Sequence, residues 1–333
     1  MAEKIILGLS GGVDSAVAAR LLQQRGFEVL GLFLDSGNEN EKKSAEATAN
    51  YLKIELTVRD IRSELEENVC RPFAEAYLRG ETPNPCVICN PRVKFKGLCN
   101  FADEKAVRHI ATGHYARAEN GRIFKGRPEN DQSYMLCRLS PEQVSRLVLP
   151  LGERSKAEVR DLAKDMDLPV AEKPASMEIC FIPDNDYAGF IERRGAFPPQ
   201  GNFVDCDGNI LGRHLGIHRY TIGQRRRLGV ALGTRCYVSE IRAETNEVVL
   251  SYGDELMTDR ISVLGINWIS LHEEEFRADV RIRHSKQQTP ARVKPCGDSA
   301  EIVFDTPVRA PTAGQSAVLY AGDELIGGGF IKK

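Results

Sequence analysis

The sequence predicts an α/β protein: a parallel sheet with helices on both faces, followed by two small β-barrel-like domains. Three observations carry this. Apolar runs of buried-strand type alternate with helical patterns through the first half of the chain. The alternation stops near Arg194, where Gly195 to Gly212 is rich in Gly, Pro and Asp. Beyond it lie short, evenly spaced strands separated by turn residues. These shifts divide the chain into residues 1–194, 195–258 and 259–333, with a seam at Asp254–Arg260.

Taken in order, Ile5–Leu9, Val29–Leu34, Ile54–Val58 and Arg108–Thr112 are the predicted strands of the parallel sheet. Ala16–Arg25 and Glu41–Leu52 have helical spacing between them. Pro141–Leu147 and Ser155–Met166 are two further helices, each with a start signal: Ser140 before Pro141, and Ser155 with Glu158 three residues on. Later strands are Cys236–Ile241, Glu247–Leu250, Ala278–Ile282, Ala300–Phe304 and Ser316–Tyr320. Thr82 to Asn90 holds two prolines besides its asparagines and reads as a rigid, non-helical loop.

Composition excludes several classes. The 333 residues are 42% hydrophobic and 28% charged, which is ordinary globular usage. No run approaches the roughly 20 apolar residues of a membrane span, so no membrane partner is expected. Nine cysteines, an odd number, with no secretion signal predict a cytoplasmic, reducing setting. A net charge of −2 neither demands nor excludes nucleic acid, so local clusters must decide.

The most informative segment is the first strand-to-helix turn, Gly8-Leu9-Ser10-Gly11-Gly12-Val13-Asp14-Ser15. Backbone N–H groups at such a turn form an anion-binding concavity, and the helix N-terminus adds positive potential. Paired glycines let the backbone approach phosphate oxygens. The segment is not the common P-loop, whose Lys lies against the β- and γ-phosphates. Here no Lys occurs between Lys4 and Lys42. Asp14 is placed to act through Mg2+ or to cap the helix. The string resembles the PP-loop of ATP pyrophosphatases, which split ATP to AMP and pyrophosphate.

Cys86 and Cys89 form a C-x-x-C without a second metal-type pair, which leaves half a zinc site, a redox pair, or a nucleophile working with a distant Cys. Cys180, in Ser176–Pro183, is the distant candidate, though Ile179, Phe181 and Ile182 also read as a buried strand. Cys70, Cys99, Cys137, Cys206, Cys236 and Cys296 read as scattered thiols. His114 follows a strand, and packing and ligand contact both remain open for it. Two basic clusters, Arg213/His214/His218/Arg219/Arg225/Arg226/Arg227 and Arg281/Arg283/His284/Lys286, have the charge of an RNA surface.

Seven strings occur in order: Ser10–Ser15, Thr82-Pro83-Asn84-Pro85 with Cys89-Asn90, Ala111–Tyr115, Asp131–Tyr134, Ile179–Ile182, Thr221–Arg225 and Gly314–Ala317. Together they resemble the bacterial tRNA-specific 2-thiouridylases, within the adenine nucleotide alpha hydrolase-like PP-loop fold. The resemblance implies ATP-dependent exchange of the 2-oxygen of the tRNA wobble uridine for sulfur. It implies ATP contacts at Gly8, Leu9, Ser10, Gly11, Gly12, Val13, Asp14, Ser15, Leu34 and Gly113, with Mg2+. Cys89 takes the nucleophile position and Cys180 that of the persulfide. RNA contacts fall on Asn84, Pro85, Cys86, His114, Asn130, Asp131, Gln132, Arg283, His284 and Gln315. Sulfur would come from a desulfurase, a relay protein or free sulfide.

Cys86 departs from the family, many members of which carry Asp there. It joins Cys89 and Cys180 as a third catalytic cysteine. Related thiolases with three cysteines hold a 4Fe-4S cluster, so Cys86, Cys89 and Cys180 are also a candidate metal set. The persulfide and cluster routes both stay open. So do three rival functions: a PP-loop ligase on a small metabolite, a non-catalytic tRNA-binding sulfur carrier, and an RNA desulfidase.

Overall fold

The computed structural model describes residues 2–174, 179–230, 233–270 and 273–332. Its first layer is a five-stranded parallel sheet. β1 (Lys4–Gly8) lies at the centre, between β2 (Glu28–Asp35) and β4 (His109–Ala111). β3 (Glu55–Asp60) pairs with β2, and β7 (Leu147–Val148) pairs with β4. Ile5 and Leu7 pack against the helices α1 (Val13–Gln24), α2 (Glu39–Leu52) and α7 (Lys156–Asp165), while Ile6 joins a second core on the opposite face. All three side chains are fully buried. Each such burial stabilises the fold by about 1.5–3 kcal/mol.

The expected strands and helices occur, with shifted ends. The helix started by Ser140 is shorter than expected: α6 covers Pro141–Ser145, and the chain then supplies β7. Ser140 with Gln143, and Ser155 with Glu158, both form complete capping boxes.

One expectation is corrected. Thr82–Asn90 is not a non-helical loop, because Pro85–Cys89 forms the helix α4. Asn84 caps it by accepting the Cys86 N–H at 3.2 Å. Pro85 sits in its first turn, where a missing N–H costs nothing. The residues read as loop formers are the start signal of a helix. Before it lies α3 (Arg71–Leu78). After it a wide π-turn, Asn90–Lys94, runs into α5 (Phe95–Glu104). Pro91 lies in that turn, and a wide turn lets a helix pass a proline that cannot donate.

The hairpin β5 (Ala116–Glu119) and β6 (Arg122–Lys125) leaves the parallel sheet and joins the last β unit, where β6 pairs with β17 (Glu324–Ile331). That unit closes on itself. β12 (Met257–Trp268), β15 (Ser299–Arg309), β14 (Thr289–Cys296), β13 (Phe276–Arg281), β16 (Ser316–Ala321) and β17 pair in sequence, and β17 returns to β12. Between the two lie α8 (Tyr187–Glu192) and a four-stranded sheet of β8 (Gly201–Val204), β9 (Ile210–His214), β10 (Tyr237–Arg242) and β11 (Glu247–Ser251), in the order β10-β11-β8-β9. Val318, Tyr320 and Leu325 of the barrel belong to the same buried cluster as Ile6, Phe95 and Ile110. The barrel and the α/β layer therefore share a core.

Among the described residues no helix is long and apolar enough to cross a membrane.

Candidate active site

The cradle lies beyond the carboxyl end of β1, where ligands of parallel sheets sit. Gly11 has φ +73°, and a Cβ there would meet the Glu41 carbonyl of α2 at 2.3 Å. No other residue type fits that approach without a shift. Gly12 is the cap residue of α1 and brings no side chain, so no side-chain cap covers the first N–H groups of the helix. Ser15 Oγ donates to the Gly12 carbonyl at 3.0 Å and lies 3.2 Å from Ser10 Oγ, which fixes the loop from within. Gly8, Leu9 and Val13 complete the strand-to-helix path.

Asp14 does not cap the helix. Its Oδ1 accepts the Tyr115 hydroxyl at 2.6 Å. Gly113, on the loop after β4, touches the cradle directly: a Cβ there would lie 2.9 Å from the Asp14 carbonyl carbon and 3.0 Å from the Ser15 nitrogen. Leu34, at the end of β2, packs against the buried cluster that holds Cys89 and Val93.

The cysteines converge. Cys86, Cys89 and Cys180 line one cavity with Leu65, Lys94 and Phe181. The cavity volume is about 10 Å3, room for roughly one water-sized molecule. Cys89 is buried, Cys86 half-buried and Cys180 exposed. Cys180 is in a turn and not in the strand its neighbours suggested, with Phe181 packed edge-on to Phe73. The preceding Ser176–Glu178 lie outside the described residues.

Burial pushes the Cys89 thiol up to about 11, against the pull of Lys94. Cys180 is exposed as a residue, yet the desolvation of its thiol at the cavity raises it too, again opposed by Lys94. Burial alone would lower the Lys94 ammonium, but the three thiols and Glu41 raise it. Cys70, read as a scattered thiol, packs in the same cluster as Cys89 and is pushed up to about 12 by burial.

Comparison with known proteins fits this geometry. The family profile described as tRNA methyl transferase HUP domain matches residues 3–184, the PRC-barrel domain of the same description matches 188–252, and an aminomethyltransferase beta-barrel domain matches 258–331. The chain is 42% identical to the tRNA-specific 2-thiouridylase MnmA of Lachnoclostridium phytofermentans, over 99% of this chain and 100% of the relative. It is 38% identical to MnmA of Clostridioides difficile, over 100% and 99%. The chain belongs to the tRNA-specific 2-thiouridylase family. The U34-tRNA thiolase NcsA of Methanococcus maripaludis, solved with its 4Fe-4S cluster, aligns with 58% of this chain and 70% of its own at 21% identity and TM-score 0.38. A likeness of that size decides nothing about the cysteines.

Within this 2-thiouridylase fold, the residues expected at RNA have definite places. Asn84 caps α4, and Pro85 is buried beneath it. His114 Nδ1 is 2.8 Å from Thr112 Oγ1, and its ring lies against Phe95. Burial first, and Lys94 second, hold its pKa down to about 3. Asn130 donates to the Arg154 carbonyl at 3.2 Å, and Gln132 Oε1 accepts the Tyr115 N–H at 3.0 Å. Gln315 donates to the Thr82 carbonyl at 2.7 Å, which ties the barrel to the approach of α4. Arg283 and His284 are exposed on the barrel.

Charge clustering overstated the basic surface. His214 and His218 are buried; His214 accepts the Gly216 N–H, and His218 pairs with Glu192, as Arg219 does. Arg281 is buried against Asp131. Arg213, Arg225, Arg226, Arg227, Arg283, His284 and Lys286 remain exposed.

The three cysteines share a cavity, but among the described residues no three Cys, His, Asp or Glu side chains are gathered closely enough to hold a metal ion. No single-ion site forms there, and the three thiols are free in this structure. Mg2+ fits the cradle, where Asp14 brings a carboxylate to the turn. Three residues had no local signal: Tyr115 at Asp14, Lys94 in the cysteine cavity, and Lys173 at the cradle. Lys94 stands five residues after Cys89, off its face of a regular helix, and only the wide turn at Pro91 brings it back.

Proposed function

We propose that this protein thiolates the 2-position of the wobble uridine of tRNA at the expense of ATP. The observation that carries the reading is the convergence of Cys86, Cys89 and Cys180 on one cavity in a chain that also holds an intact cradle. The uracil 2-oxygen attacks the α-phosphate of ATP, the α–β bond breaks, and pyrophosphate leaves. The cradle's N–H donors hold the charge that develops there. The adenylated oxygen is then a good leaving group.

A persulfide on Cys180 supplies the sulfur. Its terminal sulfur attacks C2 and AMP departs. The Cys89 thiolate then attacks Cys180 Sγ, which frees the thiolated base and leaves a disulfide. The exposure of Cys180 suits loading by a persulfide-bearing desulfurase or relay protein, which hands over its outer sulfur and keeps a thiol. Free sulfide would serve only by attacking Cys180 in the Cys89–Cys180 disulfide, which forms the persulfide and releases the Cys89 thiolate. The burial of Cys89 suits a thiol that meets only what reaches the cavity. Mg2+ would be held by Asp14 and the phosphates, and supplies charge neutralisation. Base flipping would bring the uridine to Asn84–Cys86, and the exposed arginines would hold phosphates.

Incubation with ATP, a sulfur donor and tRNA should release AMP and give 2-thiouridine. Cys89→Ser and Cys180→Ser should each abolish thiolation and leave tRNA binding nearly unchanged. Cys86→Asp should retain activity by the persulfide route. Full thiolation with a nucleotide that cannot be cut between the α- and β-phosphates would falsify the reading.

A further inference from the structure

The cradle segment Gly8–Ser15 holds no cationic side chain, neither Lys nor Arg. The fold supplies one from far along the chain. Lys173 Nζ donates to the Gly11 carbonyl at 2.9 Å, across 162 residues of sequence, and to Ser44 Oγ at 3.1 Å. An ammonium has three N–H donors, so one remains for a ligand. Among the described residues no carboxylate pairs with Lys173, whose neighbour Glu172 reaches Lys164 instead. A positive side chain therefore stands beside the positive end of a 12-residue helix. Two such features repel each other, and an anion placed between them relieves the repulsion.

A clasp between the loop and α2 does not account for this lysine. The loop already rests on α2 by backbone contact, with the Gly11 position against the Glu41 carbonyl and the Ala45 nitrogen. The clasp could be made by any neutral donor, and a charge is not needed for it.

We propose that Lys173 is the phosphate-binding cation of the cradle, contacting the β- and γ-phosphates of the nucleoside triphosphate. This rests on the functional reading above only in taking ATP as the ligand. Lys173 stands seven residues before Cys180. One short stretch then carries both a phosphate contact and the sulfur-bearing thiol.

The test is equilibrium binding of ATP and of AMP to the full chain with Mg2+ and no tRNA. Lys173→Met should weaken ATP by about tenfold or more, the scale of one charge-assisted hydrogen bond. AMP, which lacks the two outer phosphates, should change by less than about twofold. Lys173→Arg should recover most of the loss, and it keeps the test open if the methionine variant folds poorly. Ser44→Ala removes the other end of the clasp and should leave ATP affinity nearly unchanged. Equal weakening of ATP and AMP, no weakening of ATP, or a Ser44→Ala loss as large as that of Lys173→Met would each overturn the proposal. If the unaltered protein binds no ATP, the functional reading itself has failed, a result separate from any contrast between variants.

Discussion

The Asp131 carboxylate receives the Arg281 guanidinium at 2.6 Å, and both side chains are almost wholly buried. The same carboxylate accepts from Ser133 Oγ and from the Gly126 N–H, while Ser133 Oγ meets the Tyr320 hydroxyl. Arg281 and Lys125 both lie over the Tyr320 ring. A side chain expected to touch RNA thus joins the loop after β6 to barrel strand β13. It also fixes the loop whose next residue, Gln132, holds the Tyr115 backbone.

Breaking one side of that pair should be costly. Asp131→Asn leaves a buried guanidinium without its counter-charge, and such losses cost about 3–5 kcal/mol. Urea unfolding should show the fall. A variant as stable as the original protein would show that the pair is solvated.

The cysteine cavity makes a statement about pH. With the Cys89 thiol near 11, only about one molecule in a thousand is thiolate at pH 8. Its alkylation, followed by peptide mass spectrometry, should rise about tenfold per pH unit between pH 7 and 10. Lys94 pulls this thiol down, so Lys94→Met should slow the reaction further at every pH. A flat pH profile would contradict the assignment.

His114 predicts acid sensitivity. Its folded pKa, about 3, lies below the ordinary value of 6.5. The unfolded chain therefore takes up a proton that the folded chain refuses. Stability is lost as pH falls below about 6.5, by up to about 1.4 kcal/mol per unit until about 3. In His114→Gln the difference between unfolding midpoints at pH 7 and pH 5 should shrink. An unchanged difference would assign the acid loss to other groups.

Gly113→Ala should act on the cradle. The new Cβ would press on the backbone of Asp14 and Ser15, and overpacking of this kind costs about 1–3 kcal/mol. The expected result is weaker ATP binding, read by titration. Binding equal to that of the original protein would show that the cradle yields freely.

The sequence by itself determined the cradle, the strand–helix alternation and the pair Cys86 and Cys89. These depend on local chemistry: glycines where backbone must come close, hydroxyls at a helix start, apolar runs where strands are buried on both faces. The helix at Pro85–Cys89 is equally local, but an Asn-Pro start serves loops and helices alike. Only the tertiary structure decided which charges are free. His218 and Arg281 belong to basic clusters in the sequence and to ion pairs in the fold, while His214 is buried against backbone groups. The tertiary structure alone also brought Lys173 to Gly11 and Tyr115 to Asp14. A charge carries no record of its partner in its neighbours. Its company is set by packing between segments well apart in sequence, 26 residues for His218 and Glu192 and 162 for Lys173 and Gly11.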